Sequence, residues 1–288
     1  MNIASDLAPA LPSRRPHRWA ALLMLALMSL PPLAQAQAQA DGAAGVDVGR
    51  NSAFSKLVPA DAVEQAADQQ YDQMMQQAAA QKALGGNTHP QVLRLRAIAN
   101  RIIPFAVAWN PRARDWQWEV NLIGDQQINA FCMPGGKIAF YSGILSKLQL
   151  SDDEVAMVMG HEIAHALREH ARARMGKNAA TGIGASLLSQ MFGLGDIGQT
   201  LTRYGAQLLT LQFSRSDESE ADLVGMEIAA RAGYNPRAAI TLWQKMATAG
   251  RGAPPQWLST HPSGNTRIRD LESNLPKVMP LYERANRR

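Results

Sequence analysis

The chain has 288 residues, 46% hydrophobic and 18% charged, which is enough apolar material for one good-sized domain and too much for a disordered polypeptide. The formal charge of +5 falls to about +3 when residues 1–40 are set aside, where Arg14, Arg15 and Arg18 stand against Asp6. That balance, with no basic stripe interleaved with aromatics, makes no case for a nucleic-acid partner. The single cysteine, Cys132, leaves no internal disulfide, and its apolar neighbours make it a small buried hydrophobe.

In chain order, residues 1–40 have the plan of a secretory signal. A charged start at Arg14, Arg15 and Arg18 precedes an apolar run from Trp19 to Leu30, too short to span a bilayer comfortably. Ala-x-Ala repeats from Ala34 to Ala40 then suit signal peptidase, so export to the periplasm is expected; an uncleaved membrane anchor is the alternative. Residues 41–58 read as a flexible leader, and 59–288 as one domain. A Gln- and Ala-rich helix over Asp61–Leu84 is stopped by Gly85-Gly86, and a second helix follows Pro90. Trp116, Trp118, Val120 and Leu122 alternate with polar residues as in a half-buried strand. Two apolar runs flanking Pro134-Gly135-Gly136 signal a hairpin, so a small antiparallel sheet of about three strands is expected.

Everything after Ser142 reads as helical. Ser151 and Glu154 form a capping-box signature opening a long helix to about Met175. Residues 178–209 are apolar and dotted with glycine. Helices are expected over Ser214–Ala232 and then to about Thr248, followed by a loop to Pro262 and a last helical stretch. The plan is α+β, mostly helical, with one small sheet.

The decisive segment is His161-Glu162-Ile163-Ala164-His165. Residues four apart on a helix lie on one face, so the two imidazoles can grip one Zn²⁺, while Glu162 projects from a neighbouring angle and can serve as a base without being a ligand. An open catalytic site needs a third protein ligand. Arg168 and Ala171 stand where a metzincin needs Gly and His, which removes that class; His170 is expected off the ligand face and solvated. Glu218 and Asp222, four apart in Ser214-Arg215-Ser216-Asp217-Glu218-Ser219-Glu220-Ala221-Asp222, offer a ligand and a carboxylate behind it; Glu220 is the rival, and spacing favours Glu218 only modestly.

HEIAH, then FSRSDESEAD, then Ser259-Thr260-His261-Pro262-Ser263 with Arg267 together resemble the M48 family of gluzincin zinc peptidases over roughly residues 60–275. The character is that of its soluble periplasmic, BepA-like or HtpX-like catalytic domains. The resemblance implies a zincin-type domain with one Zn²⁺ on His161, His165 and Glu218 and with Asp222 behind the ligands. It implies Glu162 as general base toward a metal-bound water, and a strand at Asn129-Ala130 that pairs with extended substrate. It also implies His261 and Arg267 over the metal, holding substrate or oxyanion, with His261 able to cap the zinc at rest. Their bland counterparts are a helix-capping His and a surface Arg. No array of helical repeats is found after this region, so a minimal peptidase is expected.

The function these residues point to is an endopeptidase that acts on unfolded or misfolded exported polypeptides, outer-membrane proteins among them. A zinc-stabilised binding protein without turnover is the competing class, and an intact Glu162 speaks against it. The apolar stretch 179–211 reads as a packed helical hairpin, or else as a lid or a peripheral membrane contact.

Overall fold

The computed structural model of the chain describes residues 45–181, 208, 211–249, 255–261 and 266–287. The expected signal at 1–40 and nearly all of the apolar stretch 179–211 lie outside the described residues.

Helix α1 (Ala60–Ala80) packs Val63, Ala67, Tyr71 and Met75 inward. It ends before the expected Gly85-Gly86 stop, with Lys82 in the left-handed region at φ 56°. The next residues are used by the sheet instead: Gly124 N–H donates to Ala83 O at 2.6 Å and Gly85 N–H to Leu122 O at 2.9 Å. Helix α2 (Pro90–Ile102) starts on a proline, which supplies a preset φ where no N–H partner is needed, and its His89 cap accepts from Gln91 N.

The sheet contains β1 (Glu119–Ile123), β2 (Ala130–Met133) and β3 (Lys137–Tyr141) in the order β1-β3-β2. Strands β2 and β3 form the expected hairpin; Gly135 and Gly136 both hold positive φ in its turn, which a side chain would resist. Strand β1, however, runs parallel to β3, so the sheet is mixed and not antiparallel throughout. Alternation reports which face of a strand is buried, and carries no information on which strand lies beside it or in which direction. β3 is central and buried on both faces: Ala139 joins the cluster around α1, while Ile138 and Phe140 join the main core. β2 is left as an edge.

Helix α3 (Ser142–Leu148) leads to α4 (Asp152–Leu167), the helix around which the molecule is built. The Ser151–Glu154 capping box forms as expected, with Ser151 N–H donating to Glu154 Oε2 at 2.9 Å and Glu154 N–H to Ser151 Oγ at 3.2 Å. Every residue from Glu154 to Leu167 is buried, as a helix packed on all sides requires. The helix does not run on to Met175. Glu169 adopts a left-handed conformation at φ 56°, and α5 (His170–Ala180) sets off in a new direction.

Helix α6 (Arg215–Arg231) opens on a second capping box, Ser214 with Asp217. It is followed by α7 (Ala238–Ala249), a short α8 (Gln256–Thr260) within the expected loop, and α9 (Arg267–Ala285). Helices α4 and α6 touch backbone to backbone where Gly160 faces Gly225: a Cβ on Gly160 would stand 2.5 Å from Gly225 O, and one on Gly225 the same distance from His161 N.

Residues 45–58 are not a leader free of the domain. Val46 N–H donates to Glu227 Oε2 at 2.6 Å, Arg168 Nη2 to Gly49 O at 3.0 Å, and Arg172 Nε to Val58 O at 2.5 Å. Small polar composition reports low hydropathy, but the docking is through main-chain groups, which composition does not reveal. Among the described residues no helix is long and apolar enough to cross a membrane.

Candidate metal centre

Helix α4 presents His161 and His165 one turn apart, and α6 crosses them where only glycines permit so close an approach. That crossing carries Glu218, in the first turn of α6, to the two imidazoles. His161 Nε2 lies 3.1 Å from His165 Nε2 and 3.6 Å from Glu218 Oε2, and His165 Nε2 lies 3.4 Å from Glu218 Oε1. His261 completes the group: its Nδ1 is 3.2 Å from His161 Nε2 and 3.1 Å from Glu218 Oε1. His261 is the C-cap residue of α8, and that short helix aims it inward.

These four buried residues each offer one donor, and the donors all lie within 4.8 Å of one another. Four donors at about 2.0–2.1 Å from one zinc ion in a tetrahedron stand about 3.3–3.4 Å apart. The separations above run from 3.1 to 3.6 Å, with Glu218 turning Oε2 to His161 and Oε1 to His165 and His261, which lies close to that figure. Four lone-pair donors turned toward one point inside a core are a costly arrangement without a cation, and the set suits zinc.

The electrostatics agree. Burial, reinforced by the neighbouring imidazoles, pushes the His165 imidazolium well below its usual range, leaving a neutral ligand. Burial also raises the Glu218 carboxyl, but the His261 hydrogen bond and the nearby His161 and Arg267 outweigh it, so the carboxylate form is favoured. His261 is depressed by burial and lifted above its ordinary value by Glu162 and Glu218.

Asp222 lies behind His161: its Oδ1 is 3.0 Å from His161 Nδ1. Burial pushes its carboxyl up, yet Arg267 and His161 hold it at about 2. Arg267 is buried and not on the surface. Its Nε donates to Asp222 Oδ2 at 2.6 Å, its Nη2 to Asp222 Oδ1 at 2.7 Å and its Nη1 to Glu218 Oε2 at 2.7 Å, while its guanidinium lies 3.7 Å above the Trp243 ring centre. It clamps the two carboxylates. Its six-residue spacing from His261 gives no direction, whereas the start of α9 fixes one.

His170 departs from expectation in the opposite sense. In a continuous helix it would lie about 140° around from His165. The left-handed Glu169 turns it back, so that it is buried with Nδ1 2.9 Å from His165 Nδ1 and Nε2 3.2 Å from Glu220 Oε2. Glu220 thus serves that imidazole and Arg168, at 2.9 Å, and does not reach the metal cluster. Burial raises the Glu220 carboxyl, while the bonds from His170 and Arg168 bring it below its usual range.

Two further residues went unseen in the sequence. Trp257, fully buried, donates from Nε1 to Glu162 Oε1 at 2.6 Å and so holds the carboxylate beside the ligands. Phe213 stacks on His165 with ring centroids 4.0 Å apart. No spacing signal connects an indole to a carboxylate 95 residues away. A cleft opens beside the cluster, lined by Asn129, by strand β2 and by Glu162, His165 and His261. Asn129 Oδ1 accepts from Ala130 N at 3.0 Å at the head of that strand. Cys132 lies in the same wall, its thiol pushed up by burial.

The model of peptidase family M48 matches residues 91–275, a span that includes all the residues clustered above. The mitochondrial metalloendopeptidase OMA1 of Arabidopsis thaliana is 42% identical over 154 residues, which is 54% of this chain and 31% of that protein. The OMA1 of Schizosaccharomyces pombe is 33% identical over 201 residues, 69% of this chain and 57% of its own length. The beta-barrel assembly-enhancing protease of Yersinia pestis is 32% identical over 169 residues, 55% of this chain and 35% of its own length. The match to these relatives thus spans between about a third and three fifths of their lengths. With the family match running over well more than half of its residues, the chain belongs to peptidase family M48.

Proposed function

We propose that this protein is a zinc-dependent endopeptidase that hydrolyses unfolded or misfolded polypeptides exported to the bacterial envelope. The observation that carries the reading is the convergence of His161, His165, Glu218 and His261, with donors within 4.8 Å of one another, beside Glu162 and a cleft lined by β2, an edge of the sheet among the described residues. Zinc held by His161, His165 and Glu218 would supply Lewis acidity and a more acidic water.

Glu162 is the general base. It takes a proton from the attacking water and returns it to the leaving amine, while the Trp257 N–H holds its Oε1. His261, with Nδ1 3.2 Å from His161 Nε2, would cap the metal at rest and give way to substrate. Its Nε2, 3.7 Å from Glu162 Oε2, is then available to the oxyanion. Arg267 has the supporting role of positioning Glu218 and Asp222.

A substrate added to the edge of β2 along Asn129-Ala130 is read through its backbone, which favours extended chains over a strict side-chain code. The Ala-x-Ala pattern of residues 34–40 supports a periplasmic location, and the name of the Yersinia pestis relative supports outer-membrane proteins among the substrates. The test is the cleavage of one polypeptide in folded and unfolded forms, together with the N-terminal sequence of the protein recovered from a periplasmic fraction. The expected result is cleavage of the unfolded form and a mature N-terminus between about residues 35 and 41. Equal cleavage of both forms, or an intact Met1 in the membrane pellet, would contradict the reading.

A further inference from the structure

His170 is a buried imidazole that the reaction proposed above does not use. It sits against a ligand: its Nδ1 is 2.9 Å from His165 Nδ1, and its Nε2 is 3.2 Å from Glu220 Oε2. Glu220 accepts from Arg168 Nε at 2.9 Å, and Arg168 Nη2 donates to the Gly49 carbonyl at 3.0 Å. We propose that His170, backed by Glu220, is a positioning residue that fixes the tautomer and the in-plane orientation of His165 for zinc. The inference rests on the reading that His165 binds the metal through Nε2.

The direction of the chain follows from counting protons. Two ring nitrogens 2.9 Å apart share one hydrogen. If His165 carries it on Nδ1, His165 donates to His170, and Nε2 of His165 keeps its lone pair for the metal. His170 is then neutral with its hydrogen on Nε2, where Glu220 Oε2 accepts it. With a neutral His170 in the reverse order, His170 donates from Nδ1, and the hydrogen of His165 moves to Nε2, where it faces His161 Nε2 at 3.1 Å and blocks ligation. That order also turns a bare lone pair of His170 toward the Glu220 carboxylate, which repels it. Glu220 therefore selects the competent order, and the Arg168 bond holds Glu220 in place.

The two zinc histidines are oriented by different means. His161 meets a carboxylate directly, at Asp222. His165 reaches its carboxylate through a second imidazole. Phe213, stacked at 4.0 Å, limits tilting of the His165 ring, but rotation within its own plane is left to the Nδ1 bond. The left-handed Glu169 is what brings His170 into that bond. Outer partners of this kind are worth about 10- to 100-fold in metal affinity.

The test compares zinc affinity, by competition with a chelator of known affinity, among the unmodified protein, His170→Leu, His170→Asn and Glu220→Ala. The visible spectrum of the Co²⁺-loaded forms serves as a readout of ligand geometry. His170→Leu keeps volume and loses the acceptor, and its affinity should fall by about 10- to 100-fold with an altered Co²⁺ spectrum. His170→Asn offers Oδ1 near the place of Nδ1 and should recover most of that loss. If His170→Leu does not fold, Glu220→Ala decides alone. It changes a partly exposed side chain and should weaken zinc by about 10-fold. Unchanged affinity in the acceptor-less variants, or an equal loss in the Leu and Asn forms, would overturn the proposal. An unmodified protein that binds no zinc would instead overturn the reading on which the proposal rests.

Discussion

His161 and His165 can be read from sequence because the pattern that joins them is local: two imidazoles and a carboxylate within one helical turn. Glu218 with Asp222 is a second local pattern, and the structure brings it to the first. The signals that fail are those in which direction matters more than spacing. The left-handed Glu169 reverses the expected aim of His170, and Arg267 turns inward to two carboxylates because α9 begins there. Trp257 carries no pattern at all until α8 sets its indole on Glu162. The residue whose role is most open to measurement is His261. His261→Ala should retain zinc on three ligands and lower kcat on an unfolded substrate by about 10²–10³, the usual cost of one oxyanion donor. A rise in rate would assign His261 to the resting cap alone.

At the scale of elements, the start of α4 was legible because the Ser151–Glu154 capping box is short-range and stereotyped, and the structure adds a second box, Ser214 with Asp217, at the start of α6. Glu154 also accepts from Lys245 at 2.7 Å and from Thr241 at 2.9 Å, which ties the start of α4 to α7. Burial raises its carboxyl, but the bonds from Lys245, Ser151 and Thr241 leave it below its ordinary value. A carboxyl depressed in the folded state stabilises above its unfolded pKa and loses that contribution as pH falls through the folded one. Glu154→Ala should therefore cost about 1–2 kcal/mol at neutral pH by denaturant midpoint, and the gap to the unmodified protein should narrow as pH drops below about 4. A gap that widened there would contradict the assignment.

The crossing of α4 and α6 is invisible to periodicity, since it depends on two glycines 65 positions apart in sequence meeting in space. A Cβ at Gly225 meets Gly160 C at 2.6 Å and His161 N at 2.5 Å, and neither atom can swing aside. Gly225→Ala should destabilise the fold by about 1–3 kcal/mol or more and weaken zinc binding at the same time, because separating the helices separates the histidines from Glu218. Unfolding and zinc titrations together check it; a variant matching the parent in both would show that the crossing has slack.

Among the described residues, a buried helix bearing His161 and His165 packs against a mixed sheet and against the helices that follow it, and strand β2 lines the cleft. The α+β class and the existence of three strands were legible from period and turn residues. The parallel pairing of β1 with β3 was not, because alternation is blind to partners. The docking of residues 45–58 was equally hidden, since it depends on main-chain groups accepting from Arg168 and Arg172 and donating to Glu227.

The central claim is that this architecture holds zinc for peptide hydrolysis with Glu162 as the base. It is tested most directly by metal content and cleavage of an unfolded polypeptide, measured side by side for the unmodified protein and Glu162→Gln. The account predicts about one zinc per chain in both, with cleavage reduced by about 10²-fold or more in the variant. Normal turnover by zinc-loaded Glu162→Gln would contradict it.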